Sequence, residues 1–214
     1  MLDKLGINKK DALIVVDVQN DFCPGGALAV NEGDKIIPLV NEMAKQFDTV
    51  IITQDWHPKG HISFASTHGA DLFSAKDVDY GTQVMWPDHC VQASTGAALH
   101  ADLDIPHAKN VIRKGLNPNV DSYSAFIEAD GSTTGLAGYL HDLGIERVVV
   151  VGLATDFCVA WTAMDARKKG FEAVVVADAC RGIDIDGSLD AAWASMAEAG
   201  VERFDLDPQP APGV

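Results

Sequence analysis

Side chains with the chemistry of a nucleophile, a base or a metal ligand follow four short apolar runs of the sequence. They are Asp17, Asp55, His57, Lys114 and Cys158. In open α/β sheets the ligand crevice lies beyond the carboxyl ends of the strands. If the apolar runs are strands of one sheet, these side chains lie together at one of its edges.

Cys158 is the candidate nucleophile. It ends the segment Gly152-Leu-Ala-Thr-Asp-Phe-Cys158, a short passage from a strand into a helix, which predicts a place in the first helical turn. Backbone N–H groups and the positive helix end favour a thiolate there, and a nearby cation lowers the thiol pKa further. The N–H groups of Ala154 and Cys158 are candidates for an oxyanion hole. A second interpretation, a small buried apolar side chain, stays open.

Asp17 and Lys114 are the predicted partners of that thiol. Asp17 ends an entirely apolar strand, so we expect its carboxylate to be partly desolvated, with a raised pKa. Lys114 would balance the carboxylate charge. With Cys158 they provide the base, the cation and the nucleophile of covalent catalysis. A turn cap for Asp17 and a surface position for Lys114 are the alternatives.

Aspartate and histidine residues between positions 55 and 89 have the spacing of a metal site. Asp55 and His57 are two residues apart in an extended segment, so their side chains point the same way. His89 is the third predicted ligand, brought back by the intervening loop. One carboxylate and two imidazoles leave room for water and substrate, and they suit one divalent ion of zinc, iron or manganese. His61 is left open as a fourth ligand or as a hydrogen-bond partner of the ligands.

Strands and helices alternate along the chain. Strands are predicted at 12–17, 49–53, 110–113, 147–151, 172–176 and 201–204, and helices at 35–47, 134–143, 156–169 and 187–199. This order is typical of an α/β protein: a single-domain, three-layer α/β/α sandwich around a mostly parallel six-stranded sheet. The connection 55–109 has weak periodicity, and connections that long are usually functional.

Composition disfavours several kinds of partner. The 214 residues suit one domain, and the net charge of −15 disfavours nucleic acid and anionic membranes. The sequence has neither a signal-peptide pattern nor the ~20 apolar residues of a membrane span, so we expect a cytoplasmic protein. The four separated cysteines are expected to be thiols. A nucleotide- or flavin-binding module is disfavoured by the absence of G-x-G-x-x-G and P-loop motifs. A homo-oligomer is left open.

The candidate residues belong to five longer motifs. In chain order these are Asp17-Val-Gln-Asn-Asp-Phe-Cys-Pro-Gly-Gly26, Thr53-Gln-Asp-Trp-His-Pro58, Trp86-Pro-Asp-His-Cys-Val91, Arg113-Lys-Gly115 and Gly152-Leu-Ala-Thr-Asp-Phe-Cys-Val159. Their content and order resemble the nicotinamidase/pyrazinamidase family, within the isochorismatase-like cysteine hydrolases. The Asp/His cluster is the feature that selects this family, because isochorismatases and several other relatives lack it.

The resemblance implies an activity and a site. The activity is metal-dependent hydrolysis of nicotinamide to nicotinate and ammonia in NAD salvage, and of pyrazinamide. A related cysteine hydrolase acting on another small amide is the alternative. The implied triad is Asp17, Lys114 and Cys158, and the implied pyridine-binding walls are Phe22 and Trp86.

The resemblance also implies structural details. It implies a Rossmann-like, isochorismatase-like sheet of order 3-2-1-4-5-6 and a cis peptide between Leu153 and Ala154. Residues 1–206 would form the hydrolase domain, with 55–109 as the metal-binding loop. Independently of the resemblance, the three prolines in residues 207–214 predict a flexible tail. Phe157 departs from relatives that carry histidine at this position.

Overall fold

A parallel six-stranded sheet forms the centre of the computed structural model, which describes residues 2–206. The strands of the chain are β1 (Asp11–Val16), β2 (Val50–Asp55), β3 (Ala75–Val78), β4 (Gly81–Val84), β5 (Asn110–Lys114), β6 (Arg147–Leu153), β7 (Glu172–Arg181) and β8 (Glu202–Phe204). The sheet has the order β5-β2-β1-β6-β7-β8, with all neighbouring pairs parallel. Numbered within the sheet, this is 3-2-1-4-5-6, so the expected order is confirmed.

Helices cover both faces of the sheet. They are α1 (Ile37–Ala44), α2 (Ala65–His68), α3 (Leu136–Asp142), α4 (Ala160–Lys168) and α5 (Ser188–Glu198). Alternate β1 side chains enter two different cores. Leu13 lies in the core that holds Met43 of α1, and Ile14 lies in the core that holds Leu140 of α3 and Ala163 of α4. Burial on both faces explains the continuous apolar runs and confirms the three-layer architecture.

Two predicted helices differ from the observed ones. The stretch 35–47 begins as a 3₁₀ turn, Gly33–Ile36, before α1. The stretch 156–169 is a π-turn, Thr155–Val159, followed by α4. Such single wide turns occur frequently at functional sites, and this one holds the candidate nucleophile.

The long connection contains structure that periodicity did not predict. It holds α2 and the antiparallel hairpin β3–β4. Most hairpin side chains are exposed, so their sequence carries no alternation of apolar and polar residues.

Other observations bear on the remaining expectations. The four cysteines are buried free thiols, as predicted. None of the helices within residues 2–206 is long and apolar enough to cross a membrane. The tail predicted at 207–214 lies outside the described residues.

Candidate active site

The carboxyl edge of the sheet brings the predicted catalytic side chains together. Asp17 directly follows β1, and Lys114 ends β5. Cys158 lies in the π-turn that follows β6. All three side chains are buried. The arrangement is therefore a closed cluster of ionisable groups at the place where open α/β sheets bind ligands.

Lys114 lies at the centre of this cluster although its strand is at the edge of the sheet. Its Nζ is 2.8 Å from Asp17 Oδ2 and pairs with Asp55 Oδ1. It also donates to Cys158 Sγ at 3.3 Å and to the Ser122 carbonyl at 3.2 Å. Burial would lower the pKa of Lys114, but the two carboxylates raise it well above its ordinary value. The lysine is consequently held in its charged form.

The Asp17 carboxylate is fully buried. Burial raises its pKa, and Lys114 opposes part of that effect. Thr53 Oγ1 donates to Asp17 Oδ1 at 2.6 Å and accepts from the Asp17 N–H at 3.1 Å, which fixes the orientation of the carboxylate. The expected raised pKa is confirmed, and it makes Asp17 a stronger base than an exposed aspartate.

The turn that carries Cys158, residues 153–159, is called the nucleophile turn and lies directly against the end of β1. Gly152 has φ +123°, and a Cβ there would lie 2.7 Å from Val16 N and closer still to Val16 O. Only glycine allows the two backbones to approach this closely. The Leu153–Ala154 peptide is cis, as the resemblance implied. The turn then closes with Val159 N–H donating to Ala154 O at 3.1 Å.

The thiol pKa of Cys158 differs from the prediction. Burial raises it well above its ordinary value, and although Lys114 lowers it, Asp17 and Asp55 raise it again. The expected depression by a helix end and one cation is wrong, because desolvation and two carboxylates outweigh those effects. The resting side chain is the thiol, which must lose its proton to a base as it attacks.

The three predicted metal ligands form a buried cluster next to the triad, which we call the ligand group. Ligand atoms of Asp55, His57 and His89 all lie within 4.8 Å of one another. The two Nε2 atoms are 3.6 and 3.7 Å from Asp55 Oδ2. Each Nδ1 faces a backbone carbonyl, that of Gly115 at 3.1 Å for His57 and that of Pro87 at 2.8 Å for His89.

These donors fit a divalent cation. Hydrogen bonds from Nδ1 to carbonyl oxygens leave Nε2 free to ligate, which is the usual arrangement of metal-bound imidazoles. Burial would raise the pKa of Asp55, but Lys114 and His57 lower it well below its ordinary value, so it is ionised. A carboxylate with two imidazoles is a donor set for zinc, iron or manganese.

His61 lies behind the ligand group. Its ring stacks on that of His57 at 4.1 Å between centroids. Its Nδ1 is 2.8 Å from Ser63 Oγ and its Nε2 is 3.1 Å from the Val120 carbonyl. Ligand atoms of His57, His61 and Asp121 also lie within 4.8 Å of one another. Burial lowers the pKa of His61 to about 4, so the ring is neutral and supports His57 by stacking.

A cavity connects the ligand group to the Cys158 thiol. Phe22 and Trp86, the predicted walls, line it together with Asp55, His89, Ala154 and Cys158. Phe157 also lines it and contacts Trp86 edge-to-face, with 4.9 Å between the two ring centroids. An aromatic cavity with a nucleophile and a ligand group in its wall suits a small planar substrate.

Sequence reasoning missed several residues of this site. Tyr123 lines the cavity and accepts a hydrogen bond from Trp86 Nε1 at 2.9 Å. Leu28, Asp121 and Ile183 complete the lining. Gln19 bonds both the N–H and the carbonyl of Asp55 at 2.8 Å. Only Gln19 and Leu28 lie in or beside a quoted motif; the others lie in irregular loops without a periodic signal.

Gly115 gives a direct test of the ligand group. Its φ is +66°, and a Cβ would lie 2.5 Å from His57 Nδ1. We expect Gly115→Ala to displace the imidazole and weaken zinc binding roughly 10- to 100-fold, measured by titrating chelator-treated protein with zinc. Gly131→Ala is the matched control, because Gly131 also has positive φ, +86°, but open space around it. Equal zinc affinity in the two variants would contradict the assignment of His57.

The chain is similar to known proteins over most of its length. Residues 11–207 match the family model described as the isochorismatase domain. A nicotinamidase of Acinetobacter baylyi is 58% identical over 195 residues, which cover 90% of this chain and 91% of that protein.

Two solved structures are similar over nearly the whole chain. The PnC1 protein of L. infantum, in complex with nicotinate, has a TM-score of 0.82 and 44% identity, covering 92% of this chain and 93% of that one. The pyrazinamidase of Pyrococcus horikoshii, in complex with zinc, has a TM-score of 0.77 and 39% identity, covering 92% and 99%.

Proposed function

The chain belongs to the isochorismatase family, and within that family we propose that it is a metal-dependent amidase that hydrolyses nicotinamide to nicotinate and ammonia. This reaction is a step of NAD salvage. The similarity to a nicotinamidase, to a nicotinate complex and to a zinc-containing pyrazinamidase supports it. Pyrazinamide, whose ring has one more nitrogen, is expected to be a second substrate.

One observation carries this proposal: Asp55 joins the two halves of the site. Its Oδ1 pairs with Lys114, which also contacts Cys158. Its Oδ2 faces the Nε2 atoms of His57 and His89. A planar ring in the cavity can therefore direct its nitrogen to the ligand group while its carboxamide lies beside the thiol. Positioning of this kind contributes up to about 7–11 kcal/mol to lowering a barrier.

Asp55, His57 and His89 would hold the divalent ion. When bound, the ion supplies Lewis acidity that fixes the pyridine nitrogen and withdraws electron density from the carboxamide. The chain's own residues prepare this group, since backbone carbonyls orient both imidazoles and Gln19 holds the Asp55 backbone.

Acylation follows from the contacts of Cys158. Asp17, a base strengthened by burial, takes the thiol proton as sulfur attacks the carboxamide carbon. Lys114 remains charged and stabilises the developing thiolate. We assign the Ala154 and Cys158 N–H groups to the oxyanion. The C–N bond then breaks, the Asp17 proton passes to the leaving nitrogen, and ammonia departs from a nicotinoyl thioester.

Deacylation uses the same groups. Asp17, again ionised, takes a proton from water as the water oxygen attacks the thioester carbon. The C–S bond breaks, the proton held by Asp17 returns to sulfur, and the nicotinic acid that forms loses its remaining proton to solvent and leaves as nicotinate. The aromatic walls Phe22, Trp86 and Phe157 hold the ring through both steps and limit the entry of other water.

The proposal is tested by measuring ammonia release from nicotinamide before and after chelation. We expect turnover by the zinc-, iron- or manganese-loaded protein, loss of turnover on chelation, and recovery when the ion is restored. Benzamide, which lacks the ring nitrogen, is the matched substrate control and should be hydrolysed far more slowly. Equal rates on the two amides would show that the ring nitrogen is not used.

We further propose one hydrolase domain over residues 1–206, a metal-binding role for the loop 55–109 and a cytoplasmic location. Neither nucleic acid nor a membrane is expected as a partner, and a homo-oligomer is compatible with the proposed function. The partner class that the relatives support is a small-molecule substrate.

A further inference from the structure

Asp156 lies in the nucleophile turn, two residues before Cys158, but points away from the thiol towards another segment. The residue is only 6% exposed. Its Oδ1 accepts a hydrogen bond from the Ile183 N–H at 2.9 Å. Its Oδ2 accepts from the Asp184 N–H at 2.8 Å and from Ser188 Oγ at 2.5 Å. One carboxylate thus binds two donors from the connection between β7 and α5 and one from Ser188, the first residue of α5.

That connection, residues 182–187, forms part of the cavity wall. The Ile183 side chain lines the cavity alongside Phe157 and Cys158. Asp184 and Asp186 have φ of +58° and +50°, a left-handed conformation that is uncommon outside glycine, although aspartate tolerates it better than most residues. The Asp156 carboxylate bonds the backbone directly at Asp184, so it holds the segment at one of these two positions.

We propose that Asp156 is a positioning residue, which fastens the Ile183 wall to the turn that carries the nucleophile. This rests on the proposed amidase function, because it concerns how the substrate is held against Cys158. The bond network keeps the distance between the ring-binding wall and the sulfur constant. Loss of the network moves both sides of the cavity, so substrate affinity and turnover decline together.

Carboxylate chemistry is needed at this position. All three partners are donors, and an ionised carboxylate offers two oxygens that only accept. Charge-assisted bonds of this kind are roughly twice as strong as neutral ones. An asparagine has nearly the same shape but presents an NH₂ group to at least one of the three donors. Asp156→Asn therefore breaks the network without opening a cavity.

The experiment compares Asp156→Asn with Asp165→Asn. Asp165 is an equally buried aspartate on α4, but its partner Lys168 lies on its own helix, so it joins no second segment. Rates are expressed per active site by counting reactive Cys158 thiols. For Asp156→Asn we expect a raised KM, a lowered kcat, and kcat/KM reduced roughly 10- to 100-fold. Asp165→Asn should retain both constants.

Hydrogen exchange gives a readout that does not depend on nicotinamide. Asp156→Asn should speed exchange in residues 182–188 and in the turn 153–159 together, and Asp165→Asn should not. Ser188→Ala, which removes one of the three bonds, should give a smaller change in the same direction and serves if Asp156→Asn does not fold. Unchanged exchange in 182–188, or a lower active fraction with normal KM and kcat, would overturn the proposal. A wild-type protein inactive on nicotinamide would instead count against the proposed function.

Discussion

Replacing Cys158 by alanine is expected to abolish turnover while leaving nicotinamide binding intact. Removal of a nucleophile costs roughly 10⁴- to 10⁶-fold in kcat, because the thioester cannot form. The aromatic walls and the ligand group are not touched by this change, so the dissociation constant for nicotinamide should stay within a few-fold. The measurement is kcat from ammonia release, together with calorimetric titration of nicotinamide into the metal-loaded variant.

Cys180→Ala is the matched control for this substitution. Cys180 is also a buried free thiol, but it lies on β7 in the apolar core rather than in the cavity. We expect that variant to keep its turnover. Near-normal kcat in Cys158→Ala would show that the thiol is not the nucleophile, even though it lies 3.3 Å from Lys114.

The second large effect is expected from His89→Ala. His89 contributes an Nε2 that faces Asp55 Oδ2 at 3.7 Å, whereas Lys114 is bound by Asp17 and Asp55, which the substitution leaves in place. Its loss should reduce the bound metal below one ion per chain and lower kcat/KM by at least ~10²-fold, since ligand orientation alone changes affinity by that order. Metal content is measured by atomic emission, and activity by ammonia release.

His107→Ala controls for loss of an imidazole. His107 is exposed and contacts the Ala44 carbonyl, outside the ligand group. It should retain metal and activity. Full metal content with full activity in His89→Ala would remove this histidine from the site. Metal retained without activity would mean that its role is in substrate binding.

Much of the fold could be predicted from the sequence because the strands are buried on both faces. After their charged first residues, Asp11 and Arg147, β1 and β6 are continuous apolar runs, which distinguishes them from surface segments. The edge position of β5 did not follow from its sequence, since half-exposed strands carry a weaker pattern. The family resemblance supplied the sheet order, and the long side chain of Lys114 explains how an edge strand reaches Asp17.

The site was predictable where reactive residues directly follow strands. Asp17, Asp55 and Lys114 are of this kind, and the structure brings them into contact. Tyr123 and Ile183 lie in loops far apart in the chain, and only tertiary structure places them in one cavity. The Cys158 pKa was predicted in the wrong direction because local reasoning included the helix end and the lysine, but not burial beside two carboxylates.

The mechanism requires that the Cys158 sulfur forms a covalent bond with the carbonyl carbon of an amide that the adjacent ligand group holds in place. Single turnover with enzyme in excess, quenched by acid at successive times and followed by peptide mass spectrometry, tests it most directly. We predict a transient nicotinoyl group on the peptide that contains Cys158, formed as ammonia is released and lost as nicotinate appears. Two results would rule out this mechanism, provided that ammonia is released at the normal rate. One is a nicotinoyl group on another residue, and the other is no nicotinoyl group on any residue at any time sampled.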